Sequence, residues 1–231
     1  MYKMKIITAG FYICTMVASV VVGVSKAKEQ YERVEQHNTT TQIEFVKRDT
    51  IFNHDQKSLD HDFVMSIESY IDSVLIPRFE GGYVADDVGH PANFGINGGS
   101  YPKLNIKTLT QEQAKVIYIR DYWKRNNLHK IESNRMALLM FDFAVNAGYQ
   151  ANRQLQHLLN DWGYNIKVDG GIGDETIGII NSYMQRHGEE RLLKEYSWKR
   201  RVYYMNLKNY SKYGKSWLNR VSTLNSILDI G

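Results

Sequence analysis

Residues 78–87 read RFEGGYVADD, and the glutamate at position 80 decides how the chain is to be read. The residues before it are apolar at helical spacing. Phe63, Val64, Ile67, Tyr70, Ile71, Val74 and Leu75 share one face, which predicts a helix over 62–79, capped by Asp60 or Asp62 and ending near Pro77. Glu80 then leaves the helix at or just past its C-terminus. The negative end of the helix dipole opposes ionisation there, and apolar cover from Phe79 would act in the same direction. Both effects suit a general acid. Gly81 and Gly82 allow a sharp turn and leave room for a ligand, and Asp86 and Asp87 follow as candidate partner carboxylates.

The rest of the sequence is mainly helical in pattern. Residues 86–107 are rich in Gly, Asn, Asp and Pro and read as a loop or short hairpin. Thr110 and Gln113 have capping-box spacing and open a helix through TLTQEQAKVIYIRDYW. Residues 134–147, NRMALLMFDFAVNA, predict a buried helix closed by Gly148, and Asp142 within it needs a partner. Further helices are expected over 151–160, 174–187 (with Asp174 as its cap), 189–210 and 215–228. The turn KVDGGIGDET lacks the Asp/Asn ladder of a calcium loop and the glycine spacing of a dinucleotide site.

Composition narrows the classes. In 231 residues, 43% hydrophobic and 23% charged content is that of a globular protein. A net charge of +4 does not point to nucleic acid, and one cysteine allows no internal disulfide. Sixteen tyrosines and four tryptophans supply aromatic faces that suit sugar stacking as well as core packing. Residues 6–24, IITAGFYICTMVASVVVGV, carry no charge and would span roughly 28 Å as a helix, close to a bilayer core of about 30 Å. The run follows Lys3 and Lys5, contains no leucine and has no clean cleavage site after it. It predicts an export signal that stays attached as an inner-membrane anchor and is later released, with the rest of the chain facing the periplasm. The polar stretch that follows reads as a linker. Its His54, Asp55, Asp60, His61 and Asp62 fit no zinc or calcium spacing.

An acid presented between a helix and a small glycine-rich lobe is how lysozymes place their acid. The series EGGYVADD, NFGI, IYIRDYW, FDFAVNAG, LQHLLN, VDGGIGDET and WLNRV, over roughly residues 62–221, resembles family 108 of the glycoside hydrolases. That resemblance implies a lysozyme-like N-acetylmuramidase domain over 62–148 and a helical peptidoglycan-binding region over 149–231, after an anchor (1–25) and a linker (26–61). It implies action on peptidoglycan glycan strands with no metal or cofactor, and with the release expected from residues 6–24 the protein is expected to be a monomer. Glu80 matches the family's catalytic glutamate, and Asp86 or Asp87 matches its acidic partner. Asp87 is preferred because it lies farther along the turn. Tyr83 and Asn93 are candidate substrate contacts. Ala92 stands where the family has a threonine, in a loop about two residues shorter, so that role is lost unless a hydroxyl from elsewhere, His90 or Asn93 fills it. The rival reading is a wall-binding or secretion-assisting protein with impaired catalysis.

Overall fold

The computed structural model describes residues 65–87 and 89–231, which all fall in one compact unit. Among the described residues, seven longer helices and two short 3-10 segments accompany a small three-stranded sheet. The first, α1, is α-helical over Ile67–Tyr70 and π-helical over Ile71–Glu80. Its cap is Ser66, whose side chain accepts from the Ser69 amide, so the helix starts later than the aspartate caps predicted. Pro77 does not end it. In an i→i−5 ladder the carbonyl four residues back moves away from the proline ring, and the helix runs on to Glu80.

Strands β1 (Val84–Asp87), β2 (His90–Asn93) and β3 (Ile96–Asn97) form an antiparallel sheet in that order. Val84 pairs with Ala92 and Asp87 with His90, with a bulge in the register between them. Then α2 begins as an α-helix at Gln111–Tyr118 and continues in π form over Ile119–Lys124. Both halves of the Thr110–Gln113 capping box are present.

The central element is α3 (Asn134–Ala147), buried along almost its whole length because nearly every face is apolar. Gly148 closes it at a φ of 59°. Helices α4 (Tyr149–Asp161) and α6 (Glu190–Met205) pack on α3, and α7 (Tyr210–Ile227) packs on α6. Helix α5 (Asp174–His187) has Gly173 as its cap residue, so Asp174 is its first helical residue and pairs with Lys130 instead. The break between α6 and α7 falls at residues 206–209, earlier than the sequence pattern suggested.

Buried aromatic rings join the two halves of the chain. Phe143 of α3 lies edge-on to Tyr204 of α6, and Tyr204 stacks on Trp217 of α7 at 5.5 Å. Among the described residues no helix is long and apolar enough to cross a membrane. Residues 6–24, the linker and its His/Asp group lie outside the described residues.

Candidate active site

Glu80 is the last residue of α1, and its side chain turns inward, leaving only 1% of the residue exposed. Arg220, from α7, donates Nη1–H to Glu80 Oε1 at 2.8 Å. The same guanidinium holds Asp142 of α3, with Nη2 2.8 Å from Oδ2 and Nε 3.1 Å from both oxygens. Arg200 of α6 donates to Asp142 Oδ1 at 2.6 Å, and the Tyr70 hydroxyl donates to Oδ2 at 2.7 Å. The partner that Asp142 required is therefore a pair of arginines and a tyrosine. The Phe79 ring lies 4.5 Å from the Arg220 guanidinium carbon, so Phe79 covers the arginine beside the acid.

These contacts separate the two acids. Burial pushes the Glu80 carboxyl above its usual range. The charge of Arg220 pulls it back in part, while Asp142 and Asp87 push it up. Burial would also raise Asp142, but Arg220 and Arg200 outweigh it and hold that carboxyl well below the usual range. One carboxyl is biased toward the protonated form and its neighbour is locked as an anion.

The sheet lies against Glu80. Gly95, between β2 and β3, has a φ of 77°. A Cβ there would lie 2.5 Å from Glu80 Oε2 and would also collide with the Tyr118 hydroxyl, so only glycine permits this approach. Tyr118 donates to the Phe94 carbonyl at 2.8 Å, which ties the turn to α2.

The candidate residues fall in different places. Asp87 faces inward at the end of β1, at 7% exposure, while Asp86 is exposed. Asn97 donates to the Asp87 carbonyl at 2.9 Å and to its Oδ2 at 3.3 Å. Asp86 Oδ1 accepts from the Gly89 amide at 2.7 Å, the contact of a turn residue. The bulge between Val84 and Asp87 turns the second aspartate inward. Tyr83 is 45% exposed and open to a ligand. Asn93 is buried, and its amide donates to the Ile106 and Leu109 carbonyls, which binds the sheet to the chain before α2. Ala92 is buried on β2 and His90 is exposed. Among the described residues no group of His, Cys, Asp or Glu is placed to hold a metal ion.

Sequence reasoning missed Arg220, Tyr118 and Gly95 as site residues. Each lies within a motif already singled out, WLNRV, IYIRDYW and NFGI, yet a motif does not say which side chain faces the acid.

The glycosyl hydrolase 108 family matches residues 74–148, which hold Glu80, the sheet, Tyr118 and Asp142. This chain carries a family 108 glycosyl hydrolase domain. Residues 150–222, which hold Arg200 and Arg220, match a second family described as "Predicted Peptidoglycan domain". Among solved structures, the chain is similar to SagA of Brucella abortus at 27% identity and a TM-score of 0.54, over 64% of this chain and 86% of that one. A comparison with curated proteins gave no match. The two matched segments thus join a glycoside hydrolase domain to a peptidoglycan domain, which supports a cell-wall lytic function. The ion pair between Arg220 and Glu80 runs from the second matched segment into the first.

Proposed function

We propose that the protein is a muramidase that hydrolyses the β-1,4 bond between N-acetylmuramic acid and N-acetylglucosamine, with Glu80 as general acid. The observation that carries this reading is a buried carboxyl whose affinity for its proton is raised, at the base of a glycine-bearing turn. Protonated Glu80 would donate to the departing glycosidic oxygen. Ionised Asp87 would stabilise the oxocarbenium-like charge or orient the attacking water. Arg220 would hold the glutamate in place and receive its negative charge after proton transfer. Asp142, permanently charged, keeps Arg220 fixed through both states. Because Glu80 is enclosed, the Phe94–Gly95 turn must yield for the sugar to reach it. Tyr83, exposed just before β1, would contact the glycan.

A zymogram on purified cell walls, with mass analysis of the products, tests the reading. Muramic acid at the new reducing ends is expected. Glucosamine at the reducing ends overturns the bond assignment, and a 1,6-anhydro-muramic product overturns hydrolysis, because the same bond is then broken without water. Ala92 in place of a threonine favours the second reading, a wall-binding protein with impaired catalysis, and a wild-type protein that binds walls but clears no zone selects it.

We place the protein at the inner membrane facing the periplasm, in host lysis or in wall remodelling during secretion, because its substrate lies outside that membrane. Mass spectrometry of the periplasmic form tests this. An intact N-terminus is expected, and a new one near Ser25 or Lys28 shows ordinary signal cleavage instead.

A further inference from the structure

A second cleft lies within residues 150–222, formed by the end of α4, the residues after it, α5 and the start of α6. Its volume is about 370 Å³, and Asp161, Trp162, Tyr164, Tyr183, His187 and Arg191 line it. The Trp162 and Tyr183 rings stack at 4.5 Å, and Tyr183 lies 4.7 Å from the His187 ring. The Arg191 guanidinium carbon lies 5.2 Å from the centre of the Trp162 ring.

The charges in this cleft are unbalanced. Asp161 is its one lining carboxylate, and Lys199 already pairs with it at 2.6 Å. Arg191 is exposed and has no ion pair among the described residues. Arg186 reaches the Tyr164 hydroxyl only at 3.5 Å and forms no ion pair among the described residues either. Arg191 also lies in the first turn of the sixteen-residue helix α6, where the helix dipole favours a nearby anion. The Tyr183 hydroxyl is buried behind the ring and has no hydrogen-bond partner among the described residues, so Tyr183 presents its ring to the cleft.

An anion with some apolar bulk fits these features better than a sugar ring does. Tyr183 already occupies one face of Trp162, and a cation lies over the ring, which leaves little free face for a pyranose to stack on. In peptidoglycan the glycan sugars are uncharged, because the muramic carboxyl is amidated by the peptide stem. The free carboxylates belong to the stem. We propose that this cleft binds a carboxylate of the peptide stem, with Arg191 as the charged contact and the Trp162–Tyr183 pair as the apolar wall. The proposal rests on the peptidoglycan reading and adds to it which part of the polymer the second region recognises.

The full chain with Glu80→Gln, which leaves the wall undigested, is titrated with the synthetic tripeptide L-Ala-γ-D-Glu-diaminopimelate, with the same peptide as its amidated form, and with chitotetraose. Trp162 fluorescence or amide chemical shifts report occupancy. The tripeptide should bind, the amidated peptide and the tetraose should bind far more weakly, and Arg191→Gln should weaken the tripeptide by about tenfold or more. Hydrolysis of stem-free glycan should be unaffected by Arg191→Gln in the otherwise wild-type chain. Equal affinity for the amidated peptide, or an unchanged affinity in Arg191→Gln, overturns the proposal. Pull-down on whole cell walls separates it from the broader reading: no binding by the Glu80→Gln chain sinks peptidoglycan recognition itself. Wall binding that survives both Arg191→Gln and amidation of the stems sinks the cleft alone.

Discussion

Arg220 donates to Glu80 at 2.8 Å from 140 residues away in the chain, and the same guanidinium grips Asp142. Its charge lowers the pKa of Glu80. A general acid works while protonated, so activity falls as pH rises through that pKa. Removing the charge in Arg220→Gln raises the pKa further. The alkaline limb of the activity profile should move to higher pH, while the maximal rate drops because the acid loses its anchor. Arg220→Lys keeps the charge, so its limb should stay near that of wild type. A kcat profile against pH for the two variants checks this, and an unmoved limb in Arg220→Gln removes Arg220 from the control of Glu80.

Glu80→Gln should cost at least about a hundredfold in lytic rate, the lower range for a general acid. Its effect on folding should be small. The folded pKa of Glu80 is raised, so its contribution to stability is present below the unfolded pKa and is lost as pH rises through the folded one. At neutral pH the glutamine should melt within about 4 °C of wild type. Turbidity loss and thermal unfolding on the same preparation measure both, and activity within a few-fold of wild type excludes Glu80.

Asp86 and Asp87 should behave differently. Asp86→Asn keeps an oxygen for the Gly89 amide and should lose little activity. Asp87→Asn removes an anion that pushes the Glu80 pKa up, so the alkaline limb should move to lower pH as the rate falls. Comparable small losses in both variants, with no movement of the limb, would place the second catalytic group elsewhere.

Gly95→Ala introduces a methyl group 2.5 Å from Glu80 Oε2 at a φ of 77°. The backbone cost alone is roughly 1–2 kcal/mol, and relief of the clash must move either the turn or the acid. Activity should fall by more than tenfold, while helix content by circular dichroism stays unchanged. Wild-type activity in this variant would mean that the turn does not approach the acid in the working enzyme.

Asp142→Asn leaves Arg200 and Arg220 facing each other without the anion between them. Breaking such a buried pair costs about 3–5 kcal/mol. In wild type the depressed pKa of Asp142 contributes stability above its unfolded pKa, lost as pH falls through the folded value. Denaturant melts from neutral to acid pH should show the gap between wild type and variant narrowing toward the acid end. A variant as stable as wild type at neutral pH contradicts this account.

Much of the scaffold was legible in the sequence, because it depends on neighbours within a turn or two. The Thr110–Gln113 capping box and the bounds of α3 and α5 follow from local hydrogen bonding and apolar spacing. The end of helix α1 at Glu80 was also legible, but not its start at Ser66 or the π ladder that carries it past Pro77, which leaves no signature in apolar spacing. The oddity of Asp142 in an apolar run was also visible, since a buried carboxylate cannot stay unpaired.

The sequence by itself determined a helical protein with a glutamate at the end of a helix, a glycine turn after it and a carboxylate demanding a cation. Only the tertiary structure decided which cations answered, which of two adjacent aspartates turned inward and which glycine met the acid. Those choices depend on charges and close contacts between segments tens to more than a hundred residues apart. Coulomb attraction and excluded volume act through space, whereas periodicity and capping act along the chain. Arg220 could therefore be read as a basic residue on a late helix, but its place on Glu80 existed only once α7 had packed onto the core.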